Sequence, residues 1–246
     1  SAPATTGAYR TAAQKAGDQV LLAKGLKVEY LTRSVANSVD MFSFWPNDTA
    51  PTHLIACIEG GRVQLTGDAD TAAYAPGDKF NPSVQRIHLA TGAVETILRG
   101  MTSCDGIRTT PWGTVLATEE TDDGGAYEIL DPLAITNHTI KDRATGEIVD
   151  AAGATVTTAS AKRTALPTIA WEGLDITHDG VVYAGDEERP GTTADGGGST
   201  NDRDGGAIFK FVPATAWTGA AVTNLAQSPL VAGSVYAWQA SCQAKT

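Results

Sequence analysis

Hydrophobic and polar positions alternate in short runs along most of this chain. THLIACIE (52–59), SVQRIHLA (83–90), AVETILRG (93–100), GTVLATEE (113–120), AYEILDP (126–132), LDITHDG (174–180), VVYAGDE (181–187), AIFKFVP (207–213) and GSVYAWQAS (233–241) are rich in β-branched and aromatic residues. Each gives way to Gly, Asn, Asp or Pro, and a period of two with such boundaries predicts strands. Two pairs of runs read as hairpins, turning at Thr91-Gly92 and at Asp179-Gly180, the latter a dipeptide suited to tight turns. Helix is expected only over TAAQKAGDQVLLAKG (11–25) and in a short piece at Leu133–Thr136.

Many short strands with Gly-rich turns indicate an all-β fold, a sandwich or a β-propeller. Successive phrases of the form strand, Asp-Gly, strand, loop, strand favour the propeller, as one domain over residues 1–246. Residues 1–50 form an N-terminal segment and lead into the first strands. The stretch RPGTTADGGGSTNDRDGG (189–206) has no periodicity and reads as a flexible acidic Gly-rich loop whose Asp195, Asp202 and Asp204 do not fit EF-hand spacing.

Charge narrows the partners. Asp and Glu number 28 against 18 Lys and Arg, a formal net charge of -10, so the basic footprint that nucleic acid requires is missing. No apolar run approaches the roughly 20 residues that span a bilayer. Low lysine, excess acid and the small residues of SAPATTG suit a secreted or periplasmic protein. Cys57, Cys104 and Cys242 make an odd set, open to one disulfide plus a thiol or to three thiols.

The candidate chemistry is acidic. Between Thr102 and Asp123 the chain carries Cys104, a Pro-Trp-Gly turn, and then Glu119, Glu120, Asp122 and Asp123. Carboxylates this close repel unless a cation, a proton or distance separates them. On a strand Glu119 and Glu120 point to opposite faces, one toward a shared site and the other toward a neighbouring sheet or solvent. Cys104 is placed on a loop that returns its sulfur near that strand's end, where thiolate and carboxylates suit a transition metal and carboxylates alone suit calcium. A buried cysteine beside a solvated acidic loop fits the same residues. Glu172 in WEGLDI, Asp186 and Glu187 in VVYAGDEE, and Glu59 in CIEGGR also close strands or open them. Three strand ends finishing in Glu suggest one common rim. Arg62, Arg108 and Arg189 lie close to these motifs in sequence, and an arginine at an acidic rim either neutralises carboxylates or receives a phosphate. The four histidines are scattered, and neither a GxSxG elbow nor a phosphate-cradling GxxxxGK is present.

The pieces TPWGTVLATEE (110–120) after Cys104, WEGLDI (171–176), VVYAGDEERPG (181–191) and GAIFKFVP (206–213), with LIACIEGG (54–61) more loosely, resemble the PhoX-type alkaline phosphatase family. The resemblance implies a β-propeller with an iron and calcium cluster that hydrolyses phosphate monoesters. It implies Cys104 and Glu172 as the iron pair, and Glu59, Glu119, Glu120, Asp186 and Glu187 as ligands of calcium or shared ligands. Arg108 and Arg189 are then the phosphate-binding candidates. DGIRTT after Cys104 and CIE before Gly60 depart from the family pattern. Family propellers are also longer, so the chain is expected to be incomplete relative to them. The alternative is a non-catalytic propeller that binds calcium only. If Cys104 is a metal thiolate, the remaining disulfide is Cys57 with Cys242. GSVYAWQAS, apolar and β-prone, is expected to be paired with an N-terminal strand, a missing segment or another copy of the chain.

Overall fold

The computed structural model describes residues 15–18, 20–63, 80–187 and 206–238. In chain order its strands are β1 (Val39–Trp45), β2 (His53–Ile58), β3 (Pro82–His88), β4 (Val94–Arg99), β5 (Cys104–Thr109), β6 (Val115–Glu119), β7 (Ala126–Ile129), β8 (His138–Asp142), β9 (Glu147–Val149), β10 (Thr155–Val156), β11 (Ser160–Lys162), β12 (Trp171–Ile176), β13 (Val182–Asp186), β14 (Ile208–Pro213) and β15 (Gly233–Ala237). They make three sheets, ordered β1-β2-β3-β4-β8-β9-β10, β11-β7-β6-β5 and β12-β13-β14-β15. Each contains a four-stranded antiparallel meander. The excursion β8-β9-β10 leaves the second meander and adds to the first through a parallel pairing of β4 with β8. Among the described residues no sheet closes on itself, and the all-β class is as expected.

The three sheets stack as layers. The first strands of the meanders lie side by side, β1 against β5 and β5 against β12. Alternation along β6 explains why the middle sheet is covered on both faces. Val115 and Ala117 enter the core shared with the first sheet, while Leu116 enters the core shared with the third. The first core includes Ile55, Val84, Leu98 and Tyr127, and the second is built around Trp112, Trp171, Leu174 and Phe211. Burying one such side chain stabilises the fold by roughly 1.5–3 kcal/mol.

Every run expected to be a strand holds a strand or part of one, LDITHDG carrying only the last three residues of β12, and both hairpins turn where expected. At Gly92 and Gly180 φ is +69° and +92°, a region that glycine enters without the Cβ clash of other residues. The helix expectations are corrected. Over 11–25 the described residues hold only a 3-10 turn at Ala16–Asp18. Leu133–Thr136 lies at a turn in which Asp131 accepts from the Leu133 N–H, a local bond that competes with helix. The acidic loop expected over 189–206 lies, up to residue 205, outside the described residues.

The expectation for GSVYAWQAS is corrected in part. Its strand, β15, pairs antiparallel with β14, from Phe209↔Ala237 to Pro213↔Gly233, and not with an N-terminal strand. Every residue of β15 is exposed, and among the described residues it ends its sheet. Residues 239–241 of that run lie outside the described residues.

Candidate metal centre

The three meanders repeat one local device. Val39 pairs with Ile58, Cys104 with Glu119 and Trp171 with Asp186, the first residue of one strand against the last of the next. In each meander the register then shifts, before Phe42, Ile107 and Leu174, so that two residues face one. A bulge of this kind bends the strand and re-aims the side chains it carries. The first residue of every bulge is acidic: Asp40, Asp105 and Glu172. The residue following every partner strand is a glutamate: Glu59, Glu120 and Glu187.

The glutamates are anchored alike. The N–H of Glu59 donates to Ser38 O (2.7 Å), that of Glu120 to Ser103 O (2.7 Å) and that of Glu187 to Ala170 O (2.9 Å). Each acceptor lies two residues before the bulge acid of its own meander. Ser38 and Ser103 have φ of +63° and +47°, where a residue with a Cβ is strained, so backbone energy is stored at two of the three anchor points.

These six carboxyls meet at one end of the three first strands. Ligand oxygens of Asp105, Glu120 and Glu172 lie within 4.8 Å of one another. Asp105 is hydrogen-bonded to Glu172 and Glu120 to Glu187, contacts between two carboxyls that require a shared proton. Burial, the bond to Glu172, and the charges of Glu172, Asp40 and Glu120 push the Asp105 carboxyl up to about 9. The bond to Glu187, burial, and the charges of Glu187, Glu59 and Glu172 push Glu120 up to about 8. Both shifts have one cause: carboxyls crowded together resist being charged together.

Close packing fixes the approach of β12 to β5. A Cβ on Gly106 would lie 2.5 Å from Thr118 Oγ1, 3.2 Å from Leu174 Cβ and 3.4 Å from Glu172 O. Only glycine at the second bulge position lets Glu172 come up to Asp105.

The structure brings together Glu59, Glu120, Glu172 and Glu187 from the expected set. The other described members of that set make different contacts. Cys104 lies on a strand, not on a loop, faces the first core, and is bonded to Cys57 with Cα atoms 5.1 Å apart. It is not a thiolate, and the Cys57–Cys242 pairing is replaced; Cys242 lies outside the described residues. Glu119 points away from Glu120, as alternation required. Fully buried, it accepts from Arg143 Nε (2.7 Å), Arg143 Nη2, Thr102 N–H and Gly125 N–H. Asp186 accepts from the Ala170 N–H. Arg62 stacks on Phe80 and donates to the carbonyls of Gly100, Ile140 and Lys141, a structural tie. Arg108 donates to Ile107 O and lines a groove of about 720 Å³ with Phe42, Phe44, Asp48 and Asp175. That groove lies toward the other ends of β1, β5 and β12, while Arg108 Nη1 also lies 2.8 Å from Met41 Sδ, the second residue of the first bulge. Arg189 lies outside the described residues.

Asp40 and Asp105 were missed because bulge residues break the alternation that marks a strand. A signal was present. Ala56-Cys-Ile-Glu59, Ala117-Thr-Glu-Glu120 and Ala184-Gly-Asp-Glu187 share one spacing, and CDGI and WEGL share another.

The donor set is oxygen only, which suits a hard cation such as calcium and lacks the thiolate expected for iron. In comparisons with known proteins no family model matches the chain, and no curated protein or solved structure matches it either.

Proposed function

We propose that the chain is a β-propeller-type unit, its three meanders acting as blades, and that its carboxylate mouth binds hard divalent cations, calcium foremost. The observation that carries this reading is the threefold recurrence of a bulge acid and an anchored glutamate. A solvated acidic surface has no need of matched bulges, and repeats with a fixed site are what blades around an axis produce. Asp105, Glu120 and Glu172 would hold the cation, with Asp40, Glu59 and Glu187 within electrostatic reach. A cation would compensate the crowding that makes Asp105 and Glu120 resist ionisation beside Glu172 and Glu187. Iron is not part of the proposal, because the sulfur of Cys104 is committed to Cys57. That disulfide supports residence in an oxidising compartment, secreted or periplasmic.

A second reading is a PhoX-like phosphomonoesterase acting on phosphate esters, favoured by the convergence of Glu59, Glu120, Glu172 and Glu187. Bound cations would there stabilise the charge on the phosphoryl oxygens. Glu120 and Glu172 would orient them, and among the described residues neither Arg62 nor Arg108 makes a salt bridge with a mouth carboxyl.

Calorimetric titration of chelator-stripped protein with calcium tests the first reading. Saturable binding is expected, weakened at least about tenfold in Glu120→Gln and Glu172→Gln. No heat and no rise in melting temperature at about 5 mM calcium, beyond the weakest range of extracellular sites, would overturn it. Calcium-loaded protein that binds the cation yet leaves p-nitrophenyl phosphate intact would remove the enzyme and keep the binding module.

A further inference from the structure

We infer that the Cys57–Cys104 disulfide is a positioning crosslink for the carboxylate mouth, setting cation affinity by fixing the first meander against the second. The inference rests on the cation reading of the mouth given above. Cys57 is the residue of β2 that faces the bulge Asp40-Met41, and it lies two positions before Glu59. Cys104 directly precedes Asp105 and opens the second bulge. The bond therefore joins the two places in the first and second sheets from which mouth carboxyls emerge.

No strand ladder joins β2 or β1 to β5; the two sheets meet mainly through side chains. The Ser103 N–H to Gly60 O hydrogen bond (2.8 Å) is the backbone link beside the mouth, and Cys57 Sγ also approaches Gly106 O at 3.8 Å. Crowded carboxyls at the end of such a seam push it apart as they ionise. A covalent bond with Cα atoms 5.1 Å apart limits that opening, so Glu59 and Asp40 stay within reach of Glu120 and Asp105. A loosened site pays again for its geometry each time a cation binds, which lowers affinity without changing any ligand. Both cysteines are fully buried, so the crosslink is a fixed part of the folded site and not a switch exposed to reductant.

The test compares calcium titrations of wild type, C57A/C104A, the space-filling C57V/C104A and Ile148→Ala, each at a temperature where thermal melts show it fully folded. Ile148 lies in the same core on β9 and serves as a control for lost stability alone. The crosslink-free variants are expected to bind calcium about tenfold more weakly. Ile148→Ala is expected to melt earlier and bind as wild type does. Equal affinity in wild type and a crosslink-free variant overturns the inference while the mouth reading stands. An affinity loss in Ile148→Ala as large as that without the crosslink overturns it too, because stability alone then explains the effect. Failure of both crosslink-free variants to melt cooperatively makes the bond a condition of folding and overturns a positioning role. Wild type that ignores calcium takes down the mouth reading and this inference together.

Discussion

Glu119 and Glu120 are neighbours in the chain with opposite surroundings. Glu119, with Glu128 deeper in the same sheet, belongs to an interior where each carboxylate meets an arginine: Arg143 for Glu119 and Arg163 for Glu128. Glu120 belongs to the mouth, where no salt bridge among the described residues reaches Asp105, Glu120 or Glu172, and where crowding pushes the carboxyls of Asp105 and Glu120 up. The interior carboxylates are satisfied by protein groups alone and hold sheets together. Asp105, Glu120 and Glu172 of the mouth have no salt bridge among the described residues. The difference separates acids paired within the fold from those on which the proposed cation would act.

Breaking the interior side should have the largest effect. Arg163→Met leaves Glu128 buried and unpaired, and a loss of about 3–5 kcal/mol is expected in urea denaturation, with calcium binding at the mouth intact in whatever folds. Glu119→Gln keeps the shape but loses the charge-assisted bonds to Arg143, a cost of about 1.5–3 kcal/mol. A cost near zero for both would erase the distinction between the two regions.

Proton linkage sharpens the mouth side. Asp105 and Glu120 are raised to about 9 and about 8 in the fold. Between about pH 4 and those values the folded chain holds protons that the unfolded chain has released. Stability without cation therefore falls as pH rises through that window, by at most about 1.4 kcal/mol per pH unit for each carboxyl. Saturating calcium should flatten the slope, and calcium binding at pH 7 should release protons, measurable by repeating the titration in buffers of different ionisation enthalpy. Stability that rises between pH 5 and 8 in chelator would contradict the shared protons.

The smallest expected effect is conformational. Ser103→Gly removes the strain of φ +47° at the anchor of Glu120 and should raise cation-free stability by up to about 1 kcal/mol. A fall of more than about 1 kcal/mol on chemical denaturation would mean that the serine side chain, not the backbone, matters there.

Regular strands were legible and irregular ones were not. THLIACIE and SVQRIHLA alternate cleanly and pair as β2 and β3, from His53↔His88 to Cys57↔Val84. CDGIRT reads as a loop because Asp and Gly are poor strand residues, yet it is β5, with its Asp-Gly on the bulge. The feature that hides the strand is thus the feature that aims Asp105. Alternation separated Glu119 from Glu120, and the common rim of strand-ending glutamates could be read from the sequence. The partner of Cys104 could not, since a bond between residues 47 positions apart depends on how two sheets face each other.

Glu128 accepts from Trp112 Nε1, Thr114 Oγ1, Ser228 Oγ and Arg163 Nε, while Arg163 also donates to Leu225 O. Changing any one of these side chains alone strands a buried charge or a buried donor, so no single step away from the set is neutral. Descendants of this sequence should therefore inherit Trp112, Thr114, Glu128, Arg163 and Ser228 as a block, or lose them as a block when an apolar cluster takes their place. Variation among relatives would then show these five positions changing together across more than a hundred residues of chain, a historical trace of one carboxylate with four donors.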